Sequence, residues 1–278
     1  MSVESYVKAS LIIGLFGLIA ILSLVYLLTI LLIPRFHNSN NFFIVNICFS
    51  TLVTSVYFMI FYTSYYITSR DIFTLNGCVR LYYIFNIASV AIPFAFVAFS
   101  VHRYCSIKYL NESLFQTKKW TATCIITQWV AVLMISLPSV FQKTDVCVNV
   151  LWLRIYTLIT AVVLPSIVNI TLNVLIFHHV RLSTRRVQPH TNQKMNFSRR
   201  DISLLRQMIS MFIAFIGGWS GIYISIIITQ FLKINEWIRP ALVIFSDLSI
   251  LAILINLFIH NHEVKSYLFD KIRRNFHH

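Results

Sequence analysis

Seven stretches of this chain are each long and apolar enough to cross a lipid bilayer, and that count fixes most of what it can fold into. They run over residues 9–33, 42–68, 77–107, 120–141, 151–180, 203–232 and 237–260. A helix rises about 1.5 Å per residue, so about 20 residues cross a hydrocarbon core of about 30 Å. In hydrocarbon, a backbone must satisfy its own hydrogen bonds, which runs of this length do as helices. Only 12% of residues are charged, against about 25% in a soluble domain. Mean hydropathy is +0.75. Six glycines and six prolines in 278 residues leave room for long unbroken helices. The expected fold is an all-α membrane protein, a seven-transmembrane helix bundle in one domain over residues 1–278. The first stretch is expected to be retained: its apolar run is too long for a signal peptide, and residues 1–10 are not distinctly basic.

Charge orients the bundle. With the N-terminus outside, 16 of the 23 basic residues fall on inner segments, seven of them on the segment from Arg181 to Arg206. The positive-inside rule selects this topology. A net charge of +14 on its own suggests nucleic acid. Here the cations flank apolar spans, so anionic lipid of the bilayer is the expected partner and nucleic acid is not. After the last span, residues 261–276 place Val264, Tyr267, Leu268 and Ile272 three or four apart among Lys265, Lys271, Arg273 and Arg274. That pattern predicts a short amphipathic helix on the inner membrane surface.

Cysteines divide by side. Cys78 and Cys147 are the two on the outer side, where oxidation is allowed, and are either bridged or two free thiols. Cys48, Cys105 and Cys124 fall in apolar or inner segments. Sequons at Asn111 and Asn196 lie inside and one at Asn169 lies within a span, so no N-glycan is expected.

The landmarks within the spans resemble the rhodopsin-like (class A) family of G-protein-coupled receptors over nearly the whole chain. His102-Arg103-Tyr104 resembles the family's acidic-Arg-Tyr triplet, 25 residues after Cys78. Asn46, Trp129, Pro138 and Pro165 stand where the second, fourth and fifth helices carry familiar residues. Phe215 to Gly221 resembles the Phe-x-x-Cys-Trp-x-Pro run of the sixth, with Trp219 at its centre. The resemblance implies a Cys78–Cys147 disulfide, a plasma-membrane receptor with its C-terminus in the cytoplasm, an extracellular ligand and a heterotrimeric G protein as partner. It implies a coupling switch made of His102, Arg103, Tyr104, Asp201, Phe215, Trp219 and Asn256. Asp201 lies 18 residues before Trp219, five whole turns, so the two share a face. Asp201 either pairs with Arg103 or caps its helix ahead of Ser203. The implied ligand site comprises Phe85, Asn86, Ser89, Thr157, Tyr223, Ser246 and Asp247, beside Trp219. Asp247 is the one acid inside a span; such acids are functional by default. It either meets a ligand or pairs with Arg80, Arg154 or Arg239.

The chain departs from the family at several switch positions. Thr51 stands for the aspartate of the second helix, Asn173 for a tyrosine of the fifth, and Gly221 for the proline of the sixth. Asn256-Leu257-Phe258-Ile259-His260 stands for Asn-Pro-x-x-Tyr, and His102 for the acid beside Arg103. Pro93 falls inside the third span, where a kink is expected. Gly217, Gly218 and Gly221 supply either a hinge or close helix packing. A receptor-shaped protein without G-protein signalling is therefore a second reading. A seven-span transporter or channel is a third, against which the absence of an evident repeat counts. Adjacent His178 and His179 point apart on a helix and make a poor metal pair. With no hydrolytic triad, phosphate loop or zinc motif in the sequence, neither an enzyme nor a cofactor is expected.

Overall fold

The computed structural model describes residues 3–67, 75–109, 112–141, 151–186, 192–232, 235, 237–261, 264–267 and 273. Seven long helices carry them: α1 (Val3–Leu32), α2 (Ser39–Ile67), α3 (Leu75–Lys108), α4 (Lys118–Ser136), α5, α6 (Asn192–Ile228) and α7 (Ile238–His260). Helix α5 consists of two α segments, Leu151–Leu158 and Leu164–Arg186, joined by a π turn at Ile159–Val163. Each holds a stretch of at least 22 residues apolar enough to span a membrane. Those stretches agree with the seven predicted spans to within a few residues at each end. The protein is a multi-pass membrane protein.

Helix boundaries have local causes. Pro34, which cannot continue the ladder, follows the end of α1 and opens a short 3-10 turn at Pro34–Phe36. The Asn38 side chain then accepts the Asn41 N–H at 2.8 Å at the start of α2. Thr117 caps α4 by accepting the Trp120 N–H at 3.2 Å. Asn261 closes α7 and accepts the Val264 N–H at 3.3 Å, opening the next helical turn. The π turn has its own cause. A proline ring at 165 crowds the carbonyl four residues back, and a wider turn relieves it. Pro93, by contrast, sits inside an uninterrupted α3.

Helix α3 is the axis of the bundle: 67% of its most apolar window is buried, against 28% for α4 and 33% for α1. The core is aromatic and aliphatic, with Phe16, Phe43, Phe96 and Phe215 fully enclosed. Single hydrogen bonds cross between helices. The Asn46 amide donates to Gln128 Oε1 at 2.6 Å and its oxygen accepts the Trp129 indole N–H at 3.0 Å, joining α2 to α4. Ser100 donates to Asn169 Oδ1 at 2.7 Å between α3 and α5. Tyr26 donates to the Leu257 carbonyl at 3.2 Å between α1 and α7. Large apolar side chains such as Leu11, Ile21, Ile126, Ile167 and Phe245 stand exposed around the outside. Water would not tolerate such a belt, and lipid tails do.

Two of the α6 glycines, Gly218 and Gly221, pack against α7. A Cβ at Gly218 would meet Ser249 Oγ and come within 3.3 Å of the Ser246 Cα on α7. One at Gly221 would lie 3.1 Å from Leu242 Cδ2, and one at Gly217 would meet nothing within 4 Å. Helix α6 runs through all three without a break. Of the predicted surface helix, residues 264–267 and 273 are described and helical. Val264 is fully buried, and Tyr267 meets Phe36 edge-on at 5.8 Å. That part of the apolar face covers the bundle instead of lying in lipid; Leu268 and Ile272 lie outside the described residues.

Candidate functional site

Helices α1, α3, α5 and α7 begin at the end of the bundle that bears the N-terminus, where α2 and α6 finish. There they surround a cavity of about 230 Å3. Its walls are largely aromatic: Tyr57, Phe58, Phe61 and Tyr62 from α2, Tyr82 and Phe85 from α3, Trp219 and Tyr223 from α6. Phe16 from α1 and Val243 and Ser246 from α7 complete the lower part. Trp219 lies nine residues before the end of α6 and Ser246 eight residues into α7, hence about 12–14 Å below the helix ends. Arg154, Gln230 and Arg239 lie close to those ends, at the mouth.

The mouth is polar and cationic. Arg154 Nη1 donates to the Ile226 carbonyl at 2.8 Å, tying α5 to α6. With its amide turned to satisfy both groups, Gln230 accepts from Nη1 and, at 3.1 Å, from Nη2. Arg239 is exposed. Tyr82 lies within electrostatic reach of both arginines, and they of each other. No Asp or Glu is among the lining residues.

The predicted ligand residues separate into two groups. Phe85, Tyr223, Ser246 and Trp219 line the cavity. Asn86, Ser89, Thr157 and Asp247 do not. Thr157 donates to Asn86 Oδ1 at 2.7 Å, and the Asn86 amide donates to the Tyr82 carbonyl at 3.0 Å. The first of these bonds holds α5 against α3, and the second stays within α3. Ser89 is buried in the helix interface. Asp247 is wholly buried, and no hydrogen-bond donor reaches either carboxyl oxygen among the described residues. Of the two alternatives for Asp247, pairing with an arginine is not seen among the described residues: Arg154 bonds Ile226 and Gln230, and Arg80 and Arg239 are exposed. The rim arginines and the aromatic face of α2 are among the lining residues that the sequence alone does not assign to the site.

From the cavity floor an aromatic column runs down the bundle. Trp219 meets Phe58 at 5.4 Å and Tyr223 at 6.0 Å, and stacks on Phe215 at 5.9 Å. Phe96 meets Phe215 at 6.4 Å and Phe212 at 6.1 Å. Toward the opposite end lie the predicted switch residues. Arg103 is buried. His102, one residue away and so turned by about 100°, faces α2 and α4 instead. Its ring packs at 4.6 Å on Phe43, and Nε2 lies 3.3 Å from Thr121 Oγ1. Tyr104 packs beside Ile107, Ile176 and Ile209 and accepts from Lys108 at 3.0 Å. The side chains of Asp201 and Cys78, and the whole of Cys147, lie outside the described residues.

No curated protein matches the chain significantly. A profile of the 7 transmembrane receptor (rhodopsin family) matches residues 23–259. That span begins within α1 and ends one residue before the end of α7, taking in the Arg103 end and every described cavity-lining residue except Phe16. The chain belongs to the rhodopsin family of seven-transmembrane receptors.

Proposed function

We propose that the chain, as one domain over residues 1–278, is a plasma-membrane receptor with its N-terminus outside. It binds an extracellular small molecule or short peptide in the aromatic cavity and activates a heterotrimeric G protein at the opposite, cytoplasmic end. The observation that carries this reading is the aromatic column. Trp219 is both cavity wall and first member of a stack reaching Phe212, so a ligand pressing on it shifts the packing of α3 against α6. The concentration of basic residues beyond the other end supports the orientation. Arg103, with Asp201 at the start of the apolar part of α6, is the resting-state restraint in this reading. His102 supports that role for Asp201, because its ring is engaged with Phe43 and Thr121 and offers Arg103 no anion.

The test is a ligand library against cells expressing the chain with reporters for several G-protein classes. A saturable, G-protein-dependent response is expected. Asp201→Asn should raise basal output and Arg103→Ala should lower stimulated output, at matched surface expression. A restraint worth about 1.4 kcal/mol changes a small active fraction about tenfold. No response from any variant would refute coupling and favour a receptor-shaped protein without G-protein signalling. The unbroken α6, lacking the family's proline, is the observation that keeps that second reading in view.

A further inference from the structure

We infer that the cavity takes a small organic anion, with one carboxylate or phosphate head and an apolar body about the size of a ring. The inference rests on the reading above that this cavity is the ligand site.

Charge is the first argument. Two arginines stand at the mouth within electrostatic reach of each other, and among the described residues no carboxylate lines the cavity. Arg154 is held by neutral acceptors, the Ile226 carbonyl and the Gln230 amide, which orient a guanidinium without neutralising it. Its Nε has no hydrogen-bond partner among the described residues. Asp247, the one acid within the spans, lies outside the cavity lining with no donor at its oxygens. Low-dielectric aromatic walls concentrate the positive field of two such arginines. Guanidinium forks match carboxylate and phosphate oxygens, and hydrogen bonds to them are about twice as strong as neutral ones. The same field repels an amine.

Size and wall chemistry give the rest. An engineered apolar cavity of about 150 Å3 takes benzene. A cavity of about 230 Å3 therefore holds a ring and a short chain. Phe58, Phe85, Trp219 and Tyr223 offer ring faces and edges to that body. With the arginines at the mouth and Trp219 at the floor, the head faces out and the body points in. A free acid fits this volume, whereas a peptide C-terminus would bring further residues that have to lie beyond the mouth.

The experiment uses the full chain in zwitterionic lipid nanodiscs, so that no lipid charge competes. Binding of phenylbutyrate, its methyl ester, phenylbutylamine, phenyl phosphate and an acetylated tripeptide ending in free phenylalanine is read by ligand-observed NMR. The acid should bind about tenfold or more tightly than the ester, and the amine should not bind. Arg239→Gln should abolish the preference for acid over ester. Arg239 makes no hydrogen bond between helices among the described residues, so this variant keeps the fold if Arg154→Gln does not. An unchanged acid-to-ester ratio in Arg239→Gln, or amine binding equal to the acid, would overturn the inference. Tighter binding of the tripeptide than of phenylbutyrate or phenyl phosphate would overturn it in favour of a peptide terminus, and no binding by any probe would overturn it outright. Equal binding of acid and ester, blocked by Ser246→Trp, would refute the charge class while leaving the cavity a ligand site.

Discussion

Gly218→Ala should destabilise the bundle, while Gly217→Ala, one residue away, should not. The added Cβ at 218 would lie 2.5 Å from the Ser249 Cβ and 3.3 Å from the Ser246 Cα. The Ser249 hydroxyl can rotate away, at the loss of its 2.7 Å bond to the Ser246 carbonyl. Its Cβ cannot move without its backbone, so α7 has to shift. Overpacking of this kind costs about 1–3 kcal/mol. Replacing a mid-helix glycine by alanine returns up to about 1 kcal/mol through helix propensity. The net expectation is a loss between about 0 and 3 kcal/mol. At Gly217 the new Cβ meets nothing within 4 Å, so the propensity gain stands alone and the variant is neutral or slightly more stable. The difference between the two variants cancels propensity and leaves about 1–3 kcal/mol of packing. Denaturant unfolding in mixed micelles measures it. Ser249→Gly should rescue Gly218→Ala by removing the atoms it meets, a coupling that a double-mutant cycle isolates. Equal stabilities for the two alanine variants, or no rescue, would refute close packing at this contact and return the glycines to the role of a hinge.

Three further outcomes follow from individual contacts. Asn46→Leu strands the Gln128 and Trp129 side chains and should cost about 1–3 kcal/mol in the same unfolding assay, above the average of about 0.6 kcal/mol for a membrane hydrogen bond; a smaller loss would mean lipid or water replaces the partner. Asp247→Asn should leave stability unchanged or raise it, because no donor is lost; a loss above about 1 kcal/mol would reveal a partner for the carboxylate. Cys78→Ser and Cys147→Ser should each lower surface expression equally, and peptide mapping of oxidised protein should find the two linked; recovery of both as free thiols from surface-expressed protein would refute the bridge.

The spans were legible because the bilayer imposes one rule on every segment: about 20 apolar residues, helical throughout. Asn46 and Trp129 were legible as separate landmarks of the second and fourth helices, but their hydrogen bond was not, since it depends on how α2 packs on α4. The π turn in α5 was partly legible. Pro165 announces a disturbance, but relief by a wider turn or by a kink depends on how α5 packs, and at Pro93 the same residue leaves α3 unbroken. The glycines of α6 left hinge and packing equally open. The distance to Ser249 shows close packing at Gly218, and that distance belongs to the pairing of α6 with α7, not to either helix alone.

The ligand residues were harder to read for a related reason. In a membrane span, polarity is a weak sign of a site, because a short hydroxyl or amide side chain bonds the carbonyl of its own preceding turn. Thr51, Thr54, Ser55, Thr160, Ser166 and Asn173 all do so. Thr157 shares its one hydroxyl proton between the Leu153 carbonyl and Asn86 Oδ1. Such a residue costs little to bury and owes nothing to a ligand. A guanidinium differs: it carries a charge that carbonyls orient but do not cancel, and its stem lets it stand at the mouth of a cavity whose deeper walls are apolar. Arg154 and Arg239 therefore mark the site more sharply than any buried hydroxyl. The useful sequence signal was a pair of cations near the starts of α5 and α7, neither of which hydrogen-bonds to Asp247 among the described residues.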